Sequence, residues 1–127
     1  MPNSITKIGD YAFANCTKLT KATIPSSVTT IGECAFKYCT GLKKVFIPNS
    51  VEIIERWSFE GCSQLTGITI PNSVKSIGNS AFENCTNLTS ITIPDSVTSI
   101  GNNAFYNCSS LNEVLYGGSE EEWEKIA

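Results

Sequence analysis

The sequence repeats every 23 residues, and this periodicity restricts the possible folds more than any other feature. One column holds Ile8, Ile31, Ile54, Ile77 and Ile100; a second holds Phe13, Phe36, Phe59, Phe82 and Phe105. Leu19, Leu42, Leu65, Leu88 and Leu111 make a third, and Pro2, Pro25, Pro48, Pro71 and Pro94 a fourth. A fifth is Cys16, Cys39, Cys62, Cys85 and Cys108. The unit reads P-x-S-V-x-x-I-G-x-x-A-F-x-x-C-x-x-L-x-x-I-x-I, with copies at about 2–24, 25–47, 48–70, 71–93 and 94–116. Burying the apolar side chains of one unit falls short of the conformational entropy lost in ordering it. Stacked units cover each other's apolar faces, so the pattern predicts a solenoid forming a single domain over residues 1–127.

Local patterns place the elements. In "LTSITIP", Leu88, Ile91 and Ile93 point one way and Ser90 and Thr92 the other, ending at Pro94, which reads as a short strand. Neighbouring units stack such strands into a parallel sheet with rungs about 4.8 Å apart. "SVTSIG" is a second extended piece, and "NNAFYNC" is expected to form one helical turn that directs Ala104, Phe105 and Cys108 inward. Each unit is thus strand, turn, short extended piece and a helical turn on the convex side.

The regular cysteine column reads as a ladder of buried, reduced thiols that act as small hydrophobes and weak donors toward turn carbonyls. Parallel Cβ vectors a rung apart are wider than the ~3.8 Å usual for a disulfide. A linear ladder cannot converge on zinc, and with no histidine in the chain there is neither the commonest metal ligand nor the commonest base to activate a thiol. Cys34 stands outside the ladder, in a column with Tyr11, Trp57, Ser80 and Asn103, and is expected near the convex surface as a free thiol.

These motifs resemble the BspA-type leucine-rich repeats of surface proteins from oral and gut bacteria and some protozoan parasites. The resemblance spans about residues 2–116, with one departure: "IIERWSF" carries Glu55 where other units place Gly9, Gly32, Gly78 and Gly101. It implies a curved leucine-rich-repeat solenoid, β-dominated, without enzymatic activity or cofactor. It also implies display at the cell surface or secretion, and binding of matrix proteins or cells through the exposed strand face.

The ends carry their own expectations. "MPNSITKIGD" does not read as a secretory signal, and no apolar run approaches the ~20 residues of a membrane span. The chain opens on the proline of a unit without a polar capping segment, which suggests a fragment of a longer array and end-to-end association through that rung. After Tyr116, Ser119 and Glu122 form a capping-box pattern and Glu120, Glu121 and Glu122 suit a helix N-terminus. Residues 119–127 are therefore expected as a capping helix whose Trp123 and Ile126 cover the last rung.

A partner would meet the outward strand residues: Lys21, Lys43, Lys44 and Phe46, then Thr69, Thr92 and Leu115. Residues 1–63 carry seven Lys/Arg against five Asp/Glu, and residues 64–127 two against seven; laid side by side, the outward strand residues of this face run from basic at Lys21, Lys43 and Lys44, through Thr-rich and neutral, to acidic and apolar at Glu113 and Leu115. Two readings stand for it. Thr favours strands and stabilises rungs unaided, whereas Phe46 beside three lysines resembles a protein-binding anchor. The Lys43–Lys44 pair is too small for a nucleic-acid footprint. The N-x-[ST] matches at Asn15, Asn84, Asn87 and Asn107 are explained by turn chemistry. Ranks of Thr for ice or sugar binding are interrupted by Lys44, Phe46 and Gly67. A binding or adhesion module leads, and a structural spacer within a larger protein is the alternative.

Overall fold

Two extended segments per unit set the architecture, and the computed structural model describes residues 1–126 of the chain. The strands are β1 (Lys7–Ile8), β2 (Lys21–Thr23), β3 (Thr30–Ile31), β4 (Lys44–Phe46), β5 (Ile53–Ile54), β6 (Gly67–Thr69), β7 (Ser76–Ile77), β8 (Ser90–Ile93), β9 (Ser99–Ile100) and β10 (Glu113–Tyr116), followed by helix α1 (Glu120–Ile126). Odd-numbered strands form one parallel sheet in the order β1-β3-β5-β7-β9, with Ile8 beside Ile31 and Ile31 beside Ile54. Even-numbered strands form the second face, where β2 pairs with β4, and β8 lies between β6 and β10. The result is a parallel β-solenoid of about five turns.

The expected helical turn on the convex side is realised only in part: Ala35, Phe36 and Cys39 point inward as expected, but from a ribbon of tight i→i+3 turns rather than a regular helical turn. Two columns of this ribbon sit at positive φ: Tyr11, Cys34, Trp57, Ser80 and Asn103 between 56° and 59°, and Asn15, Tyr38, Asn84 and Asn107 between 56° and 62°. A left-handed residue every fourth position breaks a right-handed turn. Gly61 completes the second column at φ 74°, and the Tyr38 ring occupies the space a Cβ there would need. Alternate N–H groups leave the unit altogether: Phe36 donates to Ser58 O at 2.7 Å and Tyr38 to Glu60 O at 2.7 Å. The others close turns, as when Cys39 donates to Phe36 O at 3.2 Å. Unit three keeps this backbone despite its departure, since Glu55 N–H bonds Ile31 O at 3.0 Å just as Gly32 bonds Ile8 O at 2.9 Å.

Side chains stack as the backbone does. Rings of Phe13, Phe36, Phe59, Phe82 and Phe105 form one column with centroids 5.2–5.7 Å apart and planes within 9° of parallel. This is the offset geometry that ring quadrupoles favour. Beside it runs the thiol column, all six cysteines being free. Cys39 donates to Phe13 O at 3.0 Å, Cys62 to Phe36 O at 3.2 Å, Cys85 to Phe59 O at 3.2 Å and Cys108 to Phe82 O at 3.1 Å. Each thiol thus ties its unit to the one before. Cys34 is fully buried rather than near the convex surface. Its column neighbours are Tyr11 and Trp57, and the small side chain lies between the two large ones.

At the C-terminus, the Ser119 hydroxyl accepts from Glu122 N–H at 3.1 Å and donates to Glu122 Oε1 at 3.1 Å, while Ser119 N–H donates to Glu122 Oε1 at 3.3 Å. This capping box starts α1, and Trp123 packs on Tyr116 with ring centroids 5.2 Å apart. The expected contribution of the Ile126 side chain, and residue 127, lie outside the described residues.

Burial pushes the Cys39 thiol up to about 11 from its ordinary 9.0, and Cys62 and Cys85 higher still. A thiol whose folded pKa is raised stabilises the fold fully below the unfolded pKa and loses that contribution as pH rises through the folded one. Unfolding midpoints in urea should therefore hold level below about pH 9 and fall steeply toward about pH 11. An equal fall in a Cys39→Ala/Cys62→Ala/Cys85→Ala protein would refute the assignment to the thiols.

Ser58 supplies a second expectation. It is fully buried with an unpartnered hydroxyl, where the other units place Ala12, Ala35, Ala81 and Ala104. Ser58→Ala should raise stability by about 1 kcal/mol, read as a higher urea midpoint, because an unsatisfied hydroxyl leaves the core. Phe59→Ala, one residue on, should cost about 3–5 kcal/mol.

Candidate functional site

Alternation along the even-numbered strands turns Ala22, Val45, Ile68 and Ile91 into the core and leaves two outward columns. The first is Lys21, Lys44, Gly67, Ser90 and Glu113; the second is Thr23, Phe46, Thr69, Thr92 and Leu115. Lys21 and Lys44 lie side by side in register, and the Lys21 ammonium sits 5.3 Å from the centroid of the Phe46 ring. Phe46 is 52% exposed even so, and Lys43 is exposed just before β4. Thr69 pairs beside Thr92, and Leu115, also 52% exposed, lies beyond it.

Between β4 and β6 this face is interrupted. Lys43 N–H donates to Thr20 O at 2.8 Å and Thr89 N–H to Thr66 O at 3.0 Å, but the equivalent bond from Thr66 to Lys43 is not made among the described residues. Likewise Ile24 N–H reaches Phe46 O at 3.2 Å and Ile70 N–H reaches Thr92 O at 3.1 Å, while Ile47 and Thr69 make no such bond. A hollow of about 830 Å³ opens over this break, lined among others by Lys44, Phe46, Gly67, Thr69, Ser90 and Thr92. Gly67 contributes no side chain to its floor; a Cβ there would meet only Ser90, at 3.7 Å or more.

The fold thus brings Lys44, Phe46, Thr69 and Thr92 to one hollow, while Lys21, Lys43 and Leu115 lie outside its lining. The hollow itself is not an expectation of the sequence reading. Its signal is Gly67, the single glycine in a column otherwise made of Lys, Lys, Ser and Glu.

On the convex side, charged and aromatic groups satisfy one another. Lys37 lies 3.0 Å from Glu60 and 5.3 Å from the centroid of Tyr38; Arg56 lies 3.1 Å from Glu33 and 5.0 Å from that of Trp57. The hydrogen bond to Glu60 raises the pKa of Lys37. Among the described residues, no group of three or more His, Cys, Asp or Glu is placed to hold a metal ion, and no helix is long and apolar enough to cross a membrane.

Comparison with known proteins is consistent with this geometry. Over its whole length the chain is similar to a leucine rich cell surface protein of Faecalibacterium prausnitzii, with 36% identity and a TM-score of 0.96, spanning 34% of that chain. A leucine-rich repeat protein of Bacteroides ovatus is 46% identical over 87% of the chain, with a TM-score of 0.83 and 29% of its own length covered. The T. pallidum leucine rich repeat protein is 34% identical over 90% of the chain, with a TM-score of 0.88 and 56% of its length covered. The chain thus spans between 29% and 56% of the length of these relatives. No curated protein matches the sequence. The model of the BspA type leucine rich repeat region matches residues 1–120 in six copies. With this repeat in both sequence and solenoid geometry, the chain belongs to the BspA-type leucine-rich repeat family.

Proposed function

We propose that the chain is a non-enzymatic binding and adhesion module of a surface or secreted protein, a single repeat domain engaging a protein or cell-surface partner through its strand face. The observation that carries this reading is Phe46, an aromatic ring 52% exposed at the edge of the hollow with Lys21 stacked over it. An exposed aromatic ring flanked by basic side chains, at the rim of a hollow, has the composition of a protein-binding anchor. Lys43 and Lys44 extend the anchor to one side, and Thr69, Thr92 and Leu115 to the other. The Faecalibacterium relative is a cell surface protein, which supports display outside the cell. Matrix proteins are the partner class that membership of the repeat family implies.

The test is binding of the purified chain to a panel of matrix proteins and to whole cells, with a Phe46→Ala/Lys44→Glu variant as the paired control. Saturable binding, reduced about tenfold or more in the variant, is the expected result, since two groups of one anchor are removed. Binding to nothing, or equally by both proteins, makes this segment a spacer and moves recognition elsewhere in the parent protein.

A further inference from the structure

Ion pairing is distributed unequally over the surface. Lys7 pairs with Asp10 at 3.6 Å, Lys37 with Glu60 at 3.0 Å, Arg56 with Glu33 at 3.1 Å and Lys75 with Glu52 at 3.1 Å. None of these four cations belongs to an even-numbered strand. Lys18, Lys21, Lys43 and Lys44 form no ion pair among the described residues, and all four are exposed, in β2, in β4 or just before them. The strand face is therefore positive without compensation at its first two rungs, neutral over Gly67, Thr69, Ser90 and Thr92, and negative at Glu113.

We infer that the partner of this face is a polypeptide segment that is acidic at one end and uncharged, with an apolar side chain, over the rest. This rests on the strand-face reading above and adds the chemistry of the partner. Carboxylates lie over Lys21, Lys43 and Lys44, the apolar side chain packs on Phe46, and an uncharged stretch crosses the hollow. Charge complementarity of this kind steers association and selects among partners. An acidic polysaccharide carries charge along its whole length and would meet a neutral floor and then Glu113, so the graded face favours a polypeptide.

The probe is a fluorescein-labelled random copolymer of glutamate and tyrosine, titrated with the full chain and followed by anisotropy, with poly-glutamate, poly-lysine and heparin as comparison arms. Saturable binding of the copolymer, tighter than of poly-glutamate, is expected, with none of poly-lysine. Affinity should fall about tenfold in Lys43→Glu/Lys44→Glu, and fall again as salt shortens the reach of the lysine field. Gly67→Glu should weaken it too, filling the hollow with a negative side chain; circular dichroism of both variants should match the parent. Heparin binding more tightly than the copolymer, no copolymer binding, or binding indifferent to these substitutions overturns the inference. If the copolymer fails while binding of matrix or cells is still lost in Phe46→Ala/Lys44→Glu, the acidic chemistry is wrong and the strand-face reading stands. If both fail, both are wrong.

Discussion

Alternate peptide N–H groups of the convex ribbon find no acceptor in their own unit. Those of Cys34, Phe36 and Tyr38 reach Arg56, Ser58 and Glu60 of the next one, and the pattern repeats from unit to unit. Buried donors cannot be left unpaired cheaply, so each unit exists in this conformation only because its neighbour does. The strict 23-residue spacing follows from that dependence. An insertion in the ribbon of one unit would shift every donor away from its carbonyl, and the Phe and Cys columns with them.

The same dependence explains which residues vary and which recur. Columns that face the next rung from inside, such as Phe36–Phe59–Phe82 and Cys39–Cys62–Cys85, have one shape to fill and keep one residue type. The left-handed column is set by backbone geometry and accepts Tyr11, Cys34, Trp57, Ser80 and Asn103 in turn, although φ near +58° strains every one of them. Side chains on the strand face have neither constraint. That is where lysine, glycine, threonine and glutamate replace one another, and where individual binding chemistry can be written without disturbing the stack.

Much of this was legible in the sequence because repetition multiplies weak signals. A single "ITIP" is a poor strand; five aligned in register define a sheet, and the family resemblance rests on the same columns. The convex ribbon is legible only in part: Ala35, Phe36 and Cys39 point inward as the spacing of one helical turn implies, whereas alternate donors are committed to the next unit and keep the turn from becoming a regular helix. The exposure expected for Cys34 also failed, since burial there depends on Tyr11 and Trp57, a repeat away on either side. The strand-face side chains were placed correctly by alternation, but the interrupted pairing at Gly67 is a property of two adjacent units together. A pattern read one unit at a time does not contain it.

The ribbon's donors also share a direction. From Tyr11 to Asn84, every inter-unit N–H in it points toward the following unit and every accepting carbonyl points back. Outside the ribbon other donors take the reverse sense: Gly32, Glu55, Gly78 and Gly101 donate to Ile8, Ile31, Ile54 and Ile77 of the preceding unit, as Lys43 and Thr89 do to Thr20 and Thr66. The peptide dipoles of one turn therefore oppose one another and largely cancel along the axis, however many rungs are stacked. The charge gradient, +2 over residues 1–63 and −5 over residues 64–127, is thus written in the side chains alone, and a repeat can change its sign without disturbing the backbone beneath it.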